Sequence, residues 1–340
     1  VRQHLNSTDP LGNLPHRVVI VRSLPGLGDL LCLVPALRAL RVAFPHARIT
    51  LMGLPWAVQF VQRFCHYVDD WLEFPGYPGI PEVPLCPQQT VSFLSHMQQQ
   101  PFDLALQMHG NGSYINAFAV LLGAHQTAGF YPAGHYCPDA ERFLPYPEHE
   151  PEVWRHLRLL ELLDIPLQGE QLEFPLLESD WQALAGISSV QSLQPGGYVC
   201  IHPGASVSDR RWSLHHFAAV ADAIAADGFP VVLTGTAAEA ELTTAVANQM
   251  RYPVIDLAGQ TSLGAIAALL KQARLLICND TGVSHLADAL QVNSVVIFSN
   301  SDPHRWAPLD RQRHRVVVGQ PTPASVLVEA RDLLREVVYA

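Results

Sequence analysis

Short apolar runs alternate with apolar residues at helical spacing along nearly the whole chain. Arg17–Val21 reads as a strand. After the turn Leu24-Pro25-Gly26-Leu27-Gly28-Asp29, the segment Leu30–Phe44 carries a helical apolar face, with Arg38 and Arg41 opposite it. Ala47–Met52, Asp103–Gln107 and Thr127–Phe130 follow as strands, and Ala57–Phe64, Tyr114–Leu122 and Pro151–Leu163 as helices. Tyr77–Pro87 holds four prolines and reads as a loop, and Asp69-Asp70 as a solvated loop before Trp71. Glu170–Gln194 mixes a short helical pattern with glycine- and proline-flanked polar stretches.

A second series begins at the strand Tyr198–Ile201. Helices over Leu214–Asp227, Ala237–Met250, Leu263–Ala273 and Ser284–Leu290 alternate with strands over Pro230–Thr234, Val254–Asp256, Leu275–Cys278 and Ser294–Phe298. Val326–Val338 reads as a terminal helix. Strands alternating with helical crossovers predict parallel α/β sheets. The expected organisation is an N-terminal domain over 1–175, a linker over 176–195 and a C-terminal domain over 196–322. A helix over 323–340 is expected to pack back towards the N-terminal domain, and ligands are expected in a cleft between the two domains.

With 340 residues, 49% of them hydrophobic, and a mean hydropathy of +0.12, the chain can fill two cores. A net charge of −10 opposes non-specific nucleic-acid binding, which depends on neutralising phosphates. No apolar run reaches the length of about 18 residues of a membrane span. The polar opening VRQHLNSTDPLGNLPHR does not read as a signal peptide, so a cytoplasmic location is expected. The six cysteines lie far apart, and reduced, buried thiols are the economical reading. Lys271 is the only lysine, so an anion site must rely on arginine.

The chemistry gathers where strands end. Leu275–Cys278 stops at Asn279-Asp280-Thr281-Gly282, and a helix starts directly, which offers polar side chains and free amides to an anion. Upstream, VCIHPGASVSDRRWS ends another strand in a loop of small residues. There Ser206 and Ser208 can donate hydroxyl bonds, and Arg210 and Arg211 can grip a diphosphate. The same loop also reads as surface, its arginines paired with nearby acids, and Trp212 reads as a packing residue. Leu233-Thr234-Gly235-Thr236 precedes Glu239, which is suited either to ribose hydroxyls or to favouring its helix N-terminus. In Ala258-Gly259-Gln260-Thr261-Ser262, Ser262 reads as a helix N-cap and Thr261 as more open to a ligand. His285 reads as a structural histidine.

These motifs in this order, HPGAS…DRRWS, LTG…E, LAGQTSL and NDTGVSHLADA, resemble glycosyltransferase family 9, the heptosyltransferases, and PGLGDLLCLVPALRAL resembles that family's opening segment. The resemblance covers nearly the whole chain. It implies the GT-B architecture of two Rossmann-like domains, an ADP-sugar in the second and an acceptor in the first. By it, Asp29 matches the proposed catalytic base. Ser206 and Arg210 match diphosphate contacts, Glu239 a ribose contact, and Asp280, Thr281 and Gly282 the turn at the donor sugar and phosphates. The family commonly has lysine where Arg210 stands, and a hydroxyl residue can occur at the position of Ala205.

Without the family name, Gly26-Leu27-Gly28-Asp29 still sets a carboxylate at a strand-to-helix turn, as a helix N-cap and as a general base for a sugar hydroxyl. Arg210, Arg211, the hydroxyls and the amides near Thr281, Gly282 and Val283 would stabilise the departing diphosphate. Gly235 and Thr261 would border the nucleoside, and Gly28, Arg22, Asn111 and Ser113 the acceptor. The chain has no Asp-x-Asp triplet, so no metal is expected and the transfer should invert the anomeric centre.

The expected partners are an ADP-sugar and a glycan or lipid-linked saccharide, without nucleic acid. A monomer touching the inner membrane face peripherally is expected. The implied lipopolysaccharide acceptor is strongly anionic, yet residues 1–175 hold 10 Arg and no Lys against 16 Asp plus Glu. A patch from Arg22, Arg38, Arg41 and Arg48 is the candidate face for it. The alternatives are another nucleotide sugar with a natural-product or other glycan acceptor, or a non-catalytic nucleotide- or sugar-binding protein.

Overall fold

The structure is a computed structural model that describes residues 14–335. The chain divides into two compact units, the first ending at Gln171 and the second starting at Leu172. The first contains β1 Arg17–Val21, β2 Arg48–Gly53, β3 Asp70–Glu73, β4 Leu104–Gln107, β5 Gln126–Tyr131 and β6 Phe143–Pro145. The second contains β7 Val199–His202, β8 Val231–Leu233, β9 Ile255–Asp256, β10 Leu275–Asn279, β11 Ser294–Phe298 and β12 His314–Val318. Every pairing in both sheets is parallel.

The strand orders are β3-β2-β1-β4-β5-β6 and β12-β11-β10-β7-β8-β9. Counted from the start of each unit, the first is the Rossmann order 3-2-1-4-5-6, and the second is the same order read from its other edge. In each, the first strand pairs with the fourth, and the direction of winding reverses between them. That switch point opens a crevice at the carboxyl ends of the strands, where such sheets bind ligands. Central strands such as β7 and β10 are buried throughout, which is why they read as unbroken apolar runs.

Several local expectations change. The helix expected over Leu30–Phe44 is two, Leu27–Leu31 and Val34–Ala43, because Pro35 lacks an amide hydrogen and fits only in a first turn. Asp70 begins β3 and pairs with Arg48, while Asp69 pairs with Arg41 at 2.6 Å, so neither aspartate is simply solvated. β3, β6 and β12 are short or half-exposed edge strands, without the uniform burial of the centre. Pro87 closes the proline-rich loop by starting the helix Pro87–Gln99.

The stretch expected as a linker holds the helix Glu178–Ala185, which packs on Leu263–Gln272 within the second unit. The terminal helix Pro323–Arg335 buries Val326, Ala330 and Leu333 in the core of that same unit, beside Trp212 and Phe217. Its apolar face is thus used within that unit; positions 336–340 lie outside the described residues. Cys32, Cys200 and Cys278 are buried as expected, but Cys65 and Cys86 are exposed and Cys137 is intermediate. No helix among the described residues is long and apolar enough to cross a membrane.

Candidate functional site

In the second unit the predicted residues gather at the β7/β10 switch point. Asn279, the last residue of β10, is fully buried and fastens the loop after β7. Its Oδ1 accepts from the Trp212 amide at 2.9 Å, and its Nδ2 donates to the Pro203 and Gly204 carbonyls at 2.8 and 3.2 Å. Trp212 is buried as a packing residue, its ring edge against Phe217 and its Nε1 donating to the Pro321 carbonyl.

Asp280 follows Asn279 into the crevice and is 3% exposed. Its buried Oδ2 makes no hydrogen bond, and Arg210 Nη1 lies 3.5 Å from it. Arg210 is partly exposed, and the nitrogen it brings to Asp280 is Nη1. Arg211 instead turns its Nε to the Ala205 carbonyl at 2.9 Å and props the loop on which the exposed Ser206 stands. Thr281 is the N-cap of the helix Gly282–Ala289 but makes no side-chain cap bond. The first-turn amides at Gly282 and Val283 therefore have no hydroxyl cap from Thr281, which suits them to an anion. His285 is buried with its ring against Trp306, in keeping with a structural role.

Glu239 closes one side of this crevice. Its Oε2 accepts from the Thr236 amide and hydroxyl at 2.8 and 2.9 Å, a capping box that satisfies the helix-terminus reading. Its other oxygen presses on the end of β7, where a Cβ placed on Gly204 would come within 2.1 Å of Oε1. His202 stands beneath, its Nδ1 3.1 Å from the Thr234 hydroxyl and its Nε2 3.8 Å from Glu239 Oε2. Burial lowers the His202 pKa, so the ring is neutral. The Gly259 amide donates to the Gly235 carbonyl at 2.9 Å, which draws the loop carrying Thr261 to the same edge, and Ser262 caps its helix as expected.

The first unit has its own cluster at the β1/β4 switch point. Asp29 is not an N-cap: Gly26 holds that position, and Asp29 sits in the first turn of the helix that Gly28 helps start. The close approach of its carboxylate to Gly26, where a Cβ would lie 2.4 Å from Oδ2, explains the glycine. Arg22 is 1% exposed and so is not the acceptor-facing cation expected. Its Nε donates to the Asp29 carbonyl at 2.8 Å, Nη1 to the Met108 carbonyl at 2.6 Å and Nη2 to Glu152 Oε1 at 3.0 Å, with Asp29 Oδ1 at 3.5 Å.

His109, past the end of β4, accepts from the Ser23 amide on Nδ1 at 3.2 Å. Burial, with help from the Arg22 charge, lowers its pKa to about 4, so it too is neutral.

The arginines of the expected basic patch are engaged by neighbouring groups, Arg22 in the interior and Arg48 at the surface. Arg38 donates to Tyr67 and to the carbonyls of Gln168 and Gln171, Arg41 pairs with Asp69, and Arg48 with Asp70. Asn111 and Ser113 fold into a closed turn, Oδ1 of the former accepting the latter's amide and hydroxyl at 3.1 and 2.8 Å. That turn borders a groove of about 710 Å³ lined by Tyr114, Val120, Leu121 and Tyr136.

Sequence reasoning passed over Asn279's bonds, His202, His109, Glu152 and Arg155. For the last two a signal existed. Glu152, Arg155 and His156 recur at spacings of three and four on the buried face of the helix Glu152–Leu162.

Comparison with known proteins adds a family. The family described as glycosyltransferase family 9 (heptosyltransferase) matches residues 90–333. Lipopolysaccharide heptosyltransferase 2 of Salmonella typhimurium strain LT2 is 28% identical over 53% of this chain and 58% of its own length. The protein of that name from Escherichia coli K12 is 24% identical over 86% of each chain. A Haemophilus influenzae lipooligosaccharide heptosyltransferase 2 is matched over only 32% of its length. The Salmonella and Haemophilus relatives are therefore spanned for less than two thirds of their length.

Among solved structures, a glycosyl transferase family 9 protein from Veillonella parvula superposes with a TM-score of 0.75 at 21% identity, covering 94% of this chain and 97% of that one. E. coli ADP-heptose lps heptosyltransferase II gives 0.73 at 20% identity, covering 94% and 98%. Both establish the likeness of fold.

Proposed function

Because the chain belongs to glycosyltransferase family 9, we propose that it moves a heptose from ADP-heptose to a hydroxyl of a saccharide acceptor. The observation that carries this reading is the grouping of Arg210, Asp280 and the uncapped turn Thr281–Val283 at one switch point, with Glu239 at its side. A diphosphate there meets a guanidinium and helix amides, and the adenosine ribose meets the Glu239 carboxylate. The diphosphate would meet the partly exposed Arg210 guanidinium while Asp280 stands by its Nη1.

In the reaction we propose, the acceptor oxygen attacks the anomeric carbon and its proton passes to the Asp29 carboxylate. The bond from that carbon to the phosphate oxygen breaks, and ADP leaves with the electron pair. A single displacement of this kind inverts the anomeric centre. The Arg210 cation and the amides at Gly282 and Val283 stabilise the charge gathering on ADP, work that a bridging metal would otherwise do.

The paired arginines of the first unit favour, for the acceptor, a glycan with few anionic groups over a heavily phosphorylated one. Arg38, Arg41 and Arg48 all have partners, and Arg22 is buried.

The test is ADP release from ADP-heptose, with neutral and phosphorylated saccharides offered as acceptors. Turnover should persist in EDTA, give the inverted anomer and fall by about a hundredfold or more in Asp29→Asn. Undiminished turnover in that variant would remove Asp29 as base, and loss of turnover in EDTA would remove the metal-free mechanism.

A further inference from the structure

Arg22 is the least expected charge in the first unit, since a guanidinium stays ionised and its burial demands acceptors on every side. It has them from three separate elements: the helix Leu27–Leu31 through Asp29, the end of β4 through Met108, and the helix Glu152–Leu162 through Glu152. Glu152 is 3% exposed, and its second oxygen accepts from Arg155 Nη1 at 3.1 Å. Arg155, 2% exposed, also donates to Tyr146 Oη at 2.6 Å and to the carbonyls of Pro147 and Glu148 at 3.0 and 2.7 Å. A chain of alternating charge thus runs Asp29, Arg22, Glu152, Arg155, and it is anchored in the loop before the helix Glu152–Leu162.

We propose that Glu152 is a positioning residue for Asp29, acting through Arg22. It holds the guanidinium fork against the Asp29 turn and balances the charge that the carboxylate meets. This rests on the reading of Asp29 as the base. Two physical consequences follow from the geometry. First, Nε and Nη2 of one rigid fork engage the carbonyl and the carboxylate of Asp29 together, so whatever sets the fork sets the aim of the carboxylate. Second, two cations and two carboxylates balance within the chain. Neutralising Glu152 leaves Arg22 and Arg155 with Asp29 as their one remaining carboxylate in it.

Among the described residues, the charged and titratable groups around Asp29 and Arg22 include Glu152, Arg155 and His156 from the helix Glu152–Leu162 and His109 from the end of β4. His156 Nε2 stands 3.7 Å from Glu152 Oε1. His109 is neutral at working pH. The net effect of removing the Glu152 charge is therefore an excess of positive charge, which favours the ionised Asp29 and makes it a weaker proton acceptor.

The test is Glu152→Gln, which keeps shape and a carbonyl acceptor for Arg22 but removes the charge. The acid limb of kcat against pH should move down by about one unit, and the plateau should fall about tenfold. Glu152→Asp keeps the charge at shorter reach, so its acid limb should stay in place while kcat drops. A buried group of purely structural importance would lower kcat or stability in both variants without moving the limb, and that result overturns the proposal.

Should Glu152→Gln not fold, Arg22→Gln carries the test with the opposite sign, moving the limb upward. Carbon-13 titration of the Asp29 carboxyl in wild type and Glu152→Gln separates this claim from the identity of the base. A lowered midpoint supports the coupling even if Asp29→Asn remains active, and an unmoved midpoint rejects it whatever the rates.

Discussion

Asn279 satisfies one loop amide and two loop carbonyls from a single buried side chain, so its truncation leaves three backbone groups of the loop after β7 unpaired away from water. Asn279→Ala is expected to destabilise the second unit by about 2–4 kcal/mol and to weaken ADP binding, seen by denaturant unfolding and calorimetry. His109 gives a pH dependence of definite sign. Its folded pKa of about 4 lies below the 6.5 of the ordinary ring, so the unfolded chain binds the extra proton. Its contribution is complete above pH 6.5 and is lost as pH falls through 4, about 3 kcal/mol in all.

In His109→Asn, whose amide oxygen can still accept from the Ser23 amide, stability should fall less between pH 6.5 and 4 than in wild type. An equal slope would show that other groups govern that range. At this scale sequence and structure agree where chemistry is local. Asp280, Thr281 and Gly282 stand together because they are adjacent in the chain. Arg22 could not be read as buried because its counter-charge, Glu152, lies 130 residues away.

Elements were legible in proportion to their burial. β1, β7, β10 and β11 are apolar runs of four or five residues ending in polar turns, and the sheet centres are built from them. β3, with the sequence DWLE, carries charges at both ends and no alternation, and only pairing with β2 makes it a strand. The turns after the strands have the glycines their geometry demands, and Gly204 shows the consequence. A methyl group there collides with the Glu239 carboxylate, not with backbone. Gly204→Ala should therefore displace Glu239, reducing ADP affinity about tenfold with a melting temperature little changed. Unchanged affinity would mean that Glu239 does not meet the nucleotide.

Over the whole molecule, one strand order occurs twice, and each time the distinctive polar residues stand at the switch point between first and fourth strands. The alternation of strand and helix along the chain made the doubled α/β fold legible. The start of the second unit was less so, since the polar, proline-flanked residues 176–195 look like a linker although they lie within that unit and Leu184 and Asp180 are buried.

The central claim is that the second switch point is an ADP-sugar site, and titration calorimetry with ADP tests it most directly. Wild type should bind ADP in preference to UDP or GDP, and Arg210→Ala should bind ADP at least about tenfold more weakly, the loss of one charge-assisted contact. No preference for ADP, or an affinity untouched by Arg210→Ala, would contradict the account.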